Sequence, residues 1–108
     1  MAFDPTYHEE EPTREDIDQT SGPLLLEFGA DWCGHCQGLS PALEALFAKY
    51  PQVRHVRIAD GRGKRLGRSF RVKLWPTLIF MRDGQLIEQL VRPTAEEARK
   101  GFEQFSER

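Results

Sequence analysis

The run Leu24-Leu25-Leu26-Glu27-Phe28-Gly29 restricts the available folds more than any other stretch of the chain. A strand lying on a surface alternates apolar and polar residues, whereas a nearly continuous apolar run predicts a strand buried on both faces. Such a strand needs a covering layer on each side. With 108 residues, 39% of them hydrophobic, the chain can build one modest core, so both layers must come from the same domain. Between Gly34 and Tyr50, the residues Leu39, Leu43, Leu46, Phe47 and Tyr50 recur at helical spacing, which predicts a long helix kinked near Pro41. Residues 53–59 are rich in Val and Ile and predict a second buried strand. Leu66 and Phe70 mark a weaker helix interrupted by Gly67.

Beyond Pro76, residues 77–81 and 85–91 flank Arg82-Asp83-Gly84, and Asp-Gly is a strong signal for an antiparallel hairpin. Thr94 with Glu97 three residues later forms a capping-box pattern for a last helix, whose buried face is Ala98, Phe102 and Phe105. Upstream, Thr13 and Asp16 predict a short helix over residues 13–20, ended by Ser21-Gly22-Pro23. Residues 1–12 are polar and acidic and are expected to form a flexible lead-in, or a short edge strand over residues 3–7. The expected domain is then residues 13–108, an α/β fold with a central mixed sheet of four to five strands flanked by helices.

Formal net charge is −2, so no broad basic field attracts nucleic acid or an anionic membrane, and neither is an expected partner. No apolar run reaches bilayer-spanning length, and Met1-Ala2-Phe3-Asp4-Pro5 lacks the pattern of a secretory signal, so a cytoplasmic location is expected. The chain has two cysteines, Cys33 and Cys36. A bridge closing so short a loop restrains little of the unfolded chain, which leaves redox chemistry or metal binding. Cys33 falls at the first turn of the long helix, where free N–H groups and the helix dipole favour a thiolate, making it the candidate nucleophile. Cys36, one turn further on, can attack a mixed disulfide at Cys33 and release a reduced substrate. This pair needs no added cofactor. The metal alternative would use both cysteines with His8, His35 or His55, but structural zinc sites draw a second ligand pair of similarly tight spacing, and the chain has none.

The segment Leu26-Glu27-Phe28-Gly29-Ala30-Asp31-Trp32-Cys33-Gly34-His35-Cys36, together with Pro41, Trp75-Pro76-Thr77-Leu78 and the Asp83-Gly84 hairpin, resembles the thioredoxin superfamily over roughly residues 13–105. The resemblance implies thiol-disulfide oxidoreductase activity on disulfide-containing proteins, thioredoxin reductase or glutathione as electron donor, and a monomer. It also implies a cis bond between Trp75 and Pro76 and a substrate groove formed by Trp32, Gly34, Trp75, Pro76 and Arg92. Glu27 matches the buried acid that takes a proton from the resolving thiol, and desolvation is expected to raise its pKa. The alternative is a surface carboxylate on an edge strand. Arg57 stands where a lysine commonly approaches that acid, or is a solvated strand residue.

His35 gives the Cys-Gly-His-Cys of protein disulfide isomerases in place of the usual proline, and is expected to make the pair more oxidising by stabilising the Cys33 thiolate. Thioredoxin and protein disulfide isomerase differ by roughly 90 mV, and an intermediate potential is expected. Trp75 and Arg92 depart from the family's usual smaller residues and should narrow or recharge the groove, unless Trp75 only packs over a core edge. Residues 62–73 carry Arg62, Lys64, Arg65, Arg68, Arg71 and Lys73 without an acid. They form either a rim for acidic partners or, as the simpler expectation, a solvated face balanced by the acidic N-terminal stretch. A thioredoxin-fold adaptor without turnover is the remaining alternative.

Overall fold

Strand β1 (Pro23–Gly29) has every residue after Pro23 buried, which accounts for its unbroken apolar sequence. The computed structural model, which describes residues 3–107, places β1 in the interior of a four-stranded sheet. Strand β2 (Arg54–Ala59) pairs with it in parallel, β3 (Thr77–Arg82) pairs antiparallel on its other side, and β4 (Gln85–Val91) completes the order β2-β1-β3-β4. The helices are α1 (Arg14–Asp18), α2 (Gly34–Lys49), α3 (Arg65–Ser69) and α4 (Ala95–Ser106).

Side-chain alternation along β1 feeds two cores. Leu25, with Leu78 and Phe80 of β3, packs against Leu39, Leu43 and Phe47 of α2 and Phe102 and Phe105 of α4. Leu24, Leu26 and Phe28 face the other way, onto Ile17 of α1 and Leu66 and Phe70 at α3. Glu27 shares the face of Leu25 and therefore points under α2. The sheet is mixed and has four strands, at the lower end of the expected range.

The hairpin forms as its Asp-Gly predicts. Asp83 and Gly84 both take positive φ, 51° and 80°, the twist-compatible two-residue turn. Gly84 packs so tightly on the end of α1 that a Cβ there would lie 2.0 Å from the Asp18 carbonyl oxygen. The expected capping box at Thr94 and Glu97 is present, and Thr13 with Asp16, read only as a helix start, forms a second one, although α1 stops at Asp18, short of the expected residue 20.

The N-terminal stretch departs most from expectation. Met1, Ala2 and Arg108 lie outside the described residues, but from Phe3 onward the segment forms no strand over residues 3–7. It runs beside β2 and makes one bridge, at His8 opposite Ile58, with His8 N–H donating to Arg57 O (3.1 Å) and Ala59 N–H donating to His8 O (2.9 Å). Pro5 has no amide to offer a ladder. The stretch is held instead by side chains, with Phe3 tilted on Phe47 and His55 and Tyr7 buried. Further along, Glu9 pairs with Lys64 (3.3 Å), and Glu11 Oε1 accepts from the amides of Arg65 (2.9 Å) and Leu66 (3.3 Å). The acidic stretch thus balances part of the basic one internally.

Candidate active site

Cys33 is the N-cap of α2, one position earlier than the first-turn placement expected, and its Sγ accepts the Cys36 N–H at 3.3 Å. That amide is one of the unpaired donors of the helix start, so the sulfur takes the position of a capping anion. Across the groove, Cys33 Sγ lies 4.0 Å from the Trp75 carbonyl oxygen, and the Trp75-Pro76 bond is cis. Both cysteines are free thiols. Cys33 is expected to be the exposed thiol and Cys36 the buried one, but Cys33 is enclosed as well, at 6% exposure against 0% for Cys36, because Trp75 and Ala30 pack around it. Burial pushes the Cys36 thiol up to about 11, and the adjacent Cys33 adds to the shift.

The groove residues fall into two groups. Trp32 is 75% exposed and meets Trp75 edge to face at 5.4 Å. Trp75 is anchored by its indole N–H, which donates to Asp60 Oδ2 at 2.9 Å, so it packs over the core edge and against the cluster that holds Cys33. Arg92 takes φ 48°; its N–H donates to Pro76 O and its Nε to Trp75 O, both at 2.8 Å. A guanidinium therefore covers the carbonyl that faces the Cys33 sulfur. His35 and Gly34 line a separate depression with Gly38, Leu39, Pro93 and Thr94, between α2 and the start of α4.

Beneath the dithiol, Glu27 is fully buried and receives four hydrogen bonds. His55 Nε2 (2.8 Å) and Arg57 Nε (3.0 Å) reach Oε1; Arg57 Nη2 (3.2 Å) and the Tyr7 hydroxyl (2.7 Å) reach Oε2. The other ring nitrogen of His55 accepts the Asp4 N–H at 2.9 Å, which leaves the ring proton on Nε2, where it donates to the carboxylate. Arg57 is itself satisfied, giving Nη2 to Ser40 Oγ (2.6 Å) and Nη1 to the carbonyls of Asp4 and Pro5 (both 3.3 Å).

This arrangement overturns the expected upward shift of Glu27. Desolvation does raise its pKa, but the hydrogen bond from His55, the Arg57 charge and the Tyr7 hydroxyl outweigh it, and the carboxyl is held below its ordinary value. Arg57 is buried against the acid, not solvated. His55 serves the carboxylate, and His8 bonds Asp4 Oδ2 at 2.7 Å, so neither joins the cysteines. The sequence pointed to Glu27 and Arg57 but missed Tyr7, His55, Asp4 and Ser40. The signal it did contain is Gly29: an isolated glycine at the end of a buried strand marks a close approach by another group.

A dithiol whose outer sulfur caps a helix, while burial keeps the inner one protonated, is built to exchange with a disulfide. That chemistry defines the class, the thiol-disulfide oxidoreductases. The thioredoxin family model matches residues 5–104, and the chain belongs to the thioredoxin family. Among curated relatives it is 39% identical over 71 residues to thioredoxin of Chlamydia trachomatis serovar D, covering 66% of this chain and 70% of that one. Thioredoxin H5 of Oryza sativa subsp. japonica is 30% identical over 94 residues, 87% of this chain and 70% of the relative. Reduced thioredoxin 2 from Pseudomonas aeruginosa PAO1 superposes with a TM-score of 0.83 at 50% identity, covering 92% of this chain and 93% of that structure. The protein is a thiol-disulfide oxidoreductase with a redox-active Cys33-Cys36 pair. Among the described residues no helix is long and apolar enough to cross a membrane, and no group of three or more His, Cys, Asp or Glu could hold a metal ion.

Proposed function

We propose that the protein works as a monomeric cytoplasmic reductase of protein disulfides, with Cys33 as nucleophile and Cys36 as resolving thiol. The observation that supports this most directly is the asymmetry of the pair, in which Cys33 Sγ accepts the Cys36 amide beside the Trp75 carbonyl while Cys36 is buried with its thiol raised to about 11. Cys33 attacks one sulfur of a substrate disulfide and the other leaves as a thiol. Cys36 then attacks Cys33 Sγ, the mixed disulfide breaks, and the second substrate sulfur departs with the Cys36 proton, leaving the oxidised pair. Thioredoxin reductase is the electron donor that the family supports, with glutathione as the alternative.

Trp32, Trp75, Pro76 and Arg92 form the substrate face, with Gly34 giving open backbone beside the nucleophile. His35 stands at its margin and is the residue expected to make the pair more oxidising. Glu27 holds a fixed negative charge below Cys36. The test is trapping. Cys36→Ser is expected to accumulate mixed disulfides with protein substrates through Cys33, visible on a non-reducing gel. Accumulation in Cys33→Ser instead would reverse the two roles.

A further inference from the structure

The N-terminal segment carries one group to the buried side of the dithiol. Tyr7 is 7% exposed, and its hydroxyl donates to Glu27 Oε2 at 2.7 Å. The same ring reaches the resolving cysteine through the space that Gly29 leaves empty. A Cβ at Gly29 would lie 2.7 Å from Cys36 Sγ, 2.8 Å from Tyr7 Cε1 and 3.0 Å from the Tyr7 hydroxyl, so glycine is what lets phenol and sulfur share one cavity. Tyr7 and Cys36 belong to one buried cluster, and the phenol offsets part of the upward shift that burial gives the Cys36 thiol. Arg57 stacks over the ring, with Cζ 4.1 Å from its centroid. The charged and titratable groups around the hydroxyl are thus Glu27 from β1, Arg57 from β2 and Cys36 from α2, with His55 of β2 and Asp4 of its own segment one bond further away.

A hydroxyl has one proton to donate and lone pairs to accept with. While Cys36 is a thiol, that proton satisfies Glu27 and the oxygen can accept the S–H. Once the sulfur is negative, the proton is needed there, and Glu27 can release it because three donors from His55 and Arg57 remain.

We propose that Tyr7 serves the resolving step as a hydroxyl rotor, donating to Glu27 when Cys36 is a thiol and turning onto the Cys36 sulfur as that sulfur becomes the attacking thiolate. The inference rests on Cys36 being the resolving thiol. The electron pair of Cys36 Sγ forms the bond to Cys33 Sγ, the bond from Cys33 to the substrate sulfur breaks, and its pair leaves on that sulfur. The proton lost by Cys36 ends on the departing thiol. Tyr7 ends the step as it began it, a neutral phenol, free to return to Glu27.

The reagent 5,5′-dithiobis(2-nitrobenzoate) separates the two steps, because attack by Cys33 releases one coloured thiolate and resolution by Cys36 releases a second. In Tyr7→Phe the first release should be unchanged and the second slowed about tenfold, the loss of one hydrogen bond to an ionised group, with its rate-pH profile displaced upward by about one unit. With 3-fluorotyrosine at position 7, a more acidic donor, the profile should move downward, a response that loss of packing cannot produce. Coinciding profiles for all three proteins, or equal slowing of both releases in Tyr7→Phe, would overturn the proposal. A missing second release in the unmodified protein would overturn the resolving role of Cys36 itself, and Tyr7's part with it.

Discussion

Glu27 and Arg57 face each other in the register of β1 and β2, and each is buried, so neither charge can turn to water. Removing one leaves the other stranded. Glu27→Gln keeps the side-chain volume but leaves the Arg57 guanidinium without its counter-charge, and is expected to cost about 3–5 kcal/mol. Urea unfolding at neutral pH with an unchanged denaturant slope checks this, and a loss below about 1 kcal/mol would show that the amide suffices. A lone charge in an apolar run was enough to mark Glu27 as buried. The direction of its shift was not legible, because its donors come from Tyr7, His55 and Arg57, separated from it by 20, 28 and 30 residues. No local pattern shows which donors a buried carboxylate will meet.

The strands, hairpin and last helix were legible because their determinants are local: apolar runs, an Asp-Gly turn and a Thr-x-x-Glu cap. What the turn touches was not. Gly84 combines a φ of 80° with close contact to the Asp18 carbonyl, so it joins the β3-β4 hairpin to the end of α1 as well as reversing the chain. Gly84→Ala should therefore cost more than the usual penalty of about 1 kcal/mol for a side chain at positive φ, roughly 2–3 kcal/mol with the clash. At about 4–8 °C per kcal/mol for a domain of this size, calorimetry should show a Tm lower by at least about 8 °C. A fall of only a few degrees would mean that α1 yields easily. The N-cap position of Cys33 shows the ordinary limit of sequence boundaries: the motif located the helix start, but only the backbone tells cap from first turn.

For the molecule as a whole, Glu27 links folding to acid. Its folded pKa lies below the ordinary 4.5, so the unfolded chain binds the proton more readily. The stabilisation is fully present above that ordinary value and is lost as pH falls through the lower, folded one. Unfolding free energy measured from pH 6 downward should fall more steeply for the unmodified protein than for Glu27→Gln; parallel curves would remove Glu27 as the acid-sensitive group.

The described segment ahead of α1 has one more consequence. It lies on β2 through a single backbone bridge, yet its Asp4 amide fixes the His55 ring and its Tyr7 side chain packs in the cluster that holds Cys36. Mechanically it is a lever whose short arm ends at the dithiol. Tension applied to the chain ahead of Phe3, by a fused domain or a surface attachment, draws first on the contacts that hold the carboxylate and only then on the sheet. The chemistry would yield to such a pull before the fold does.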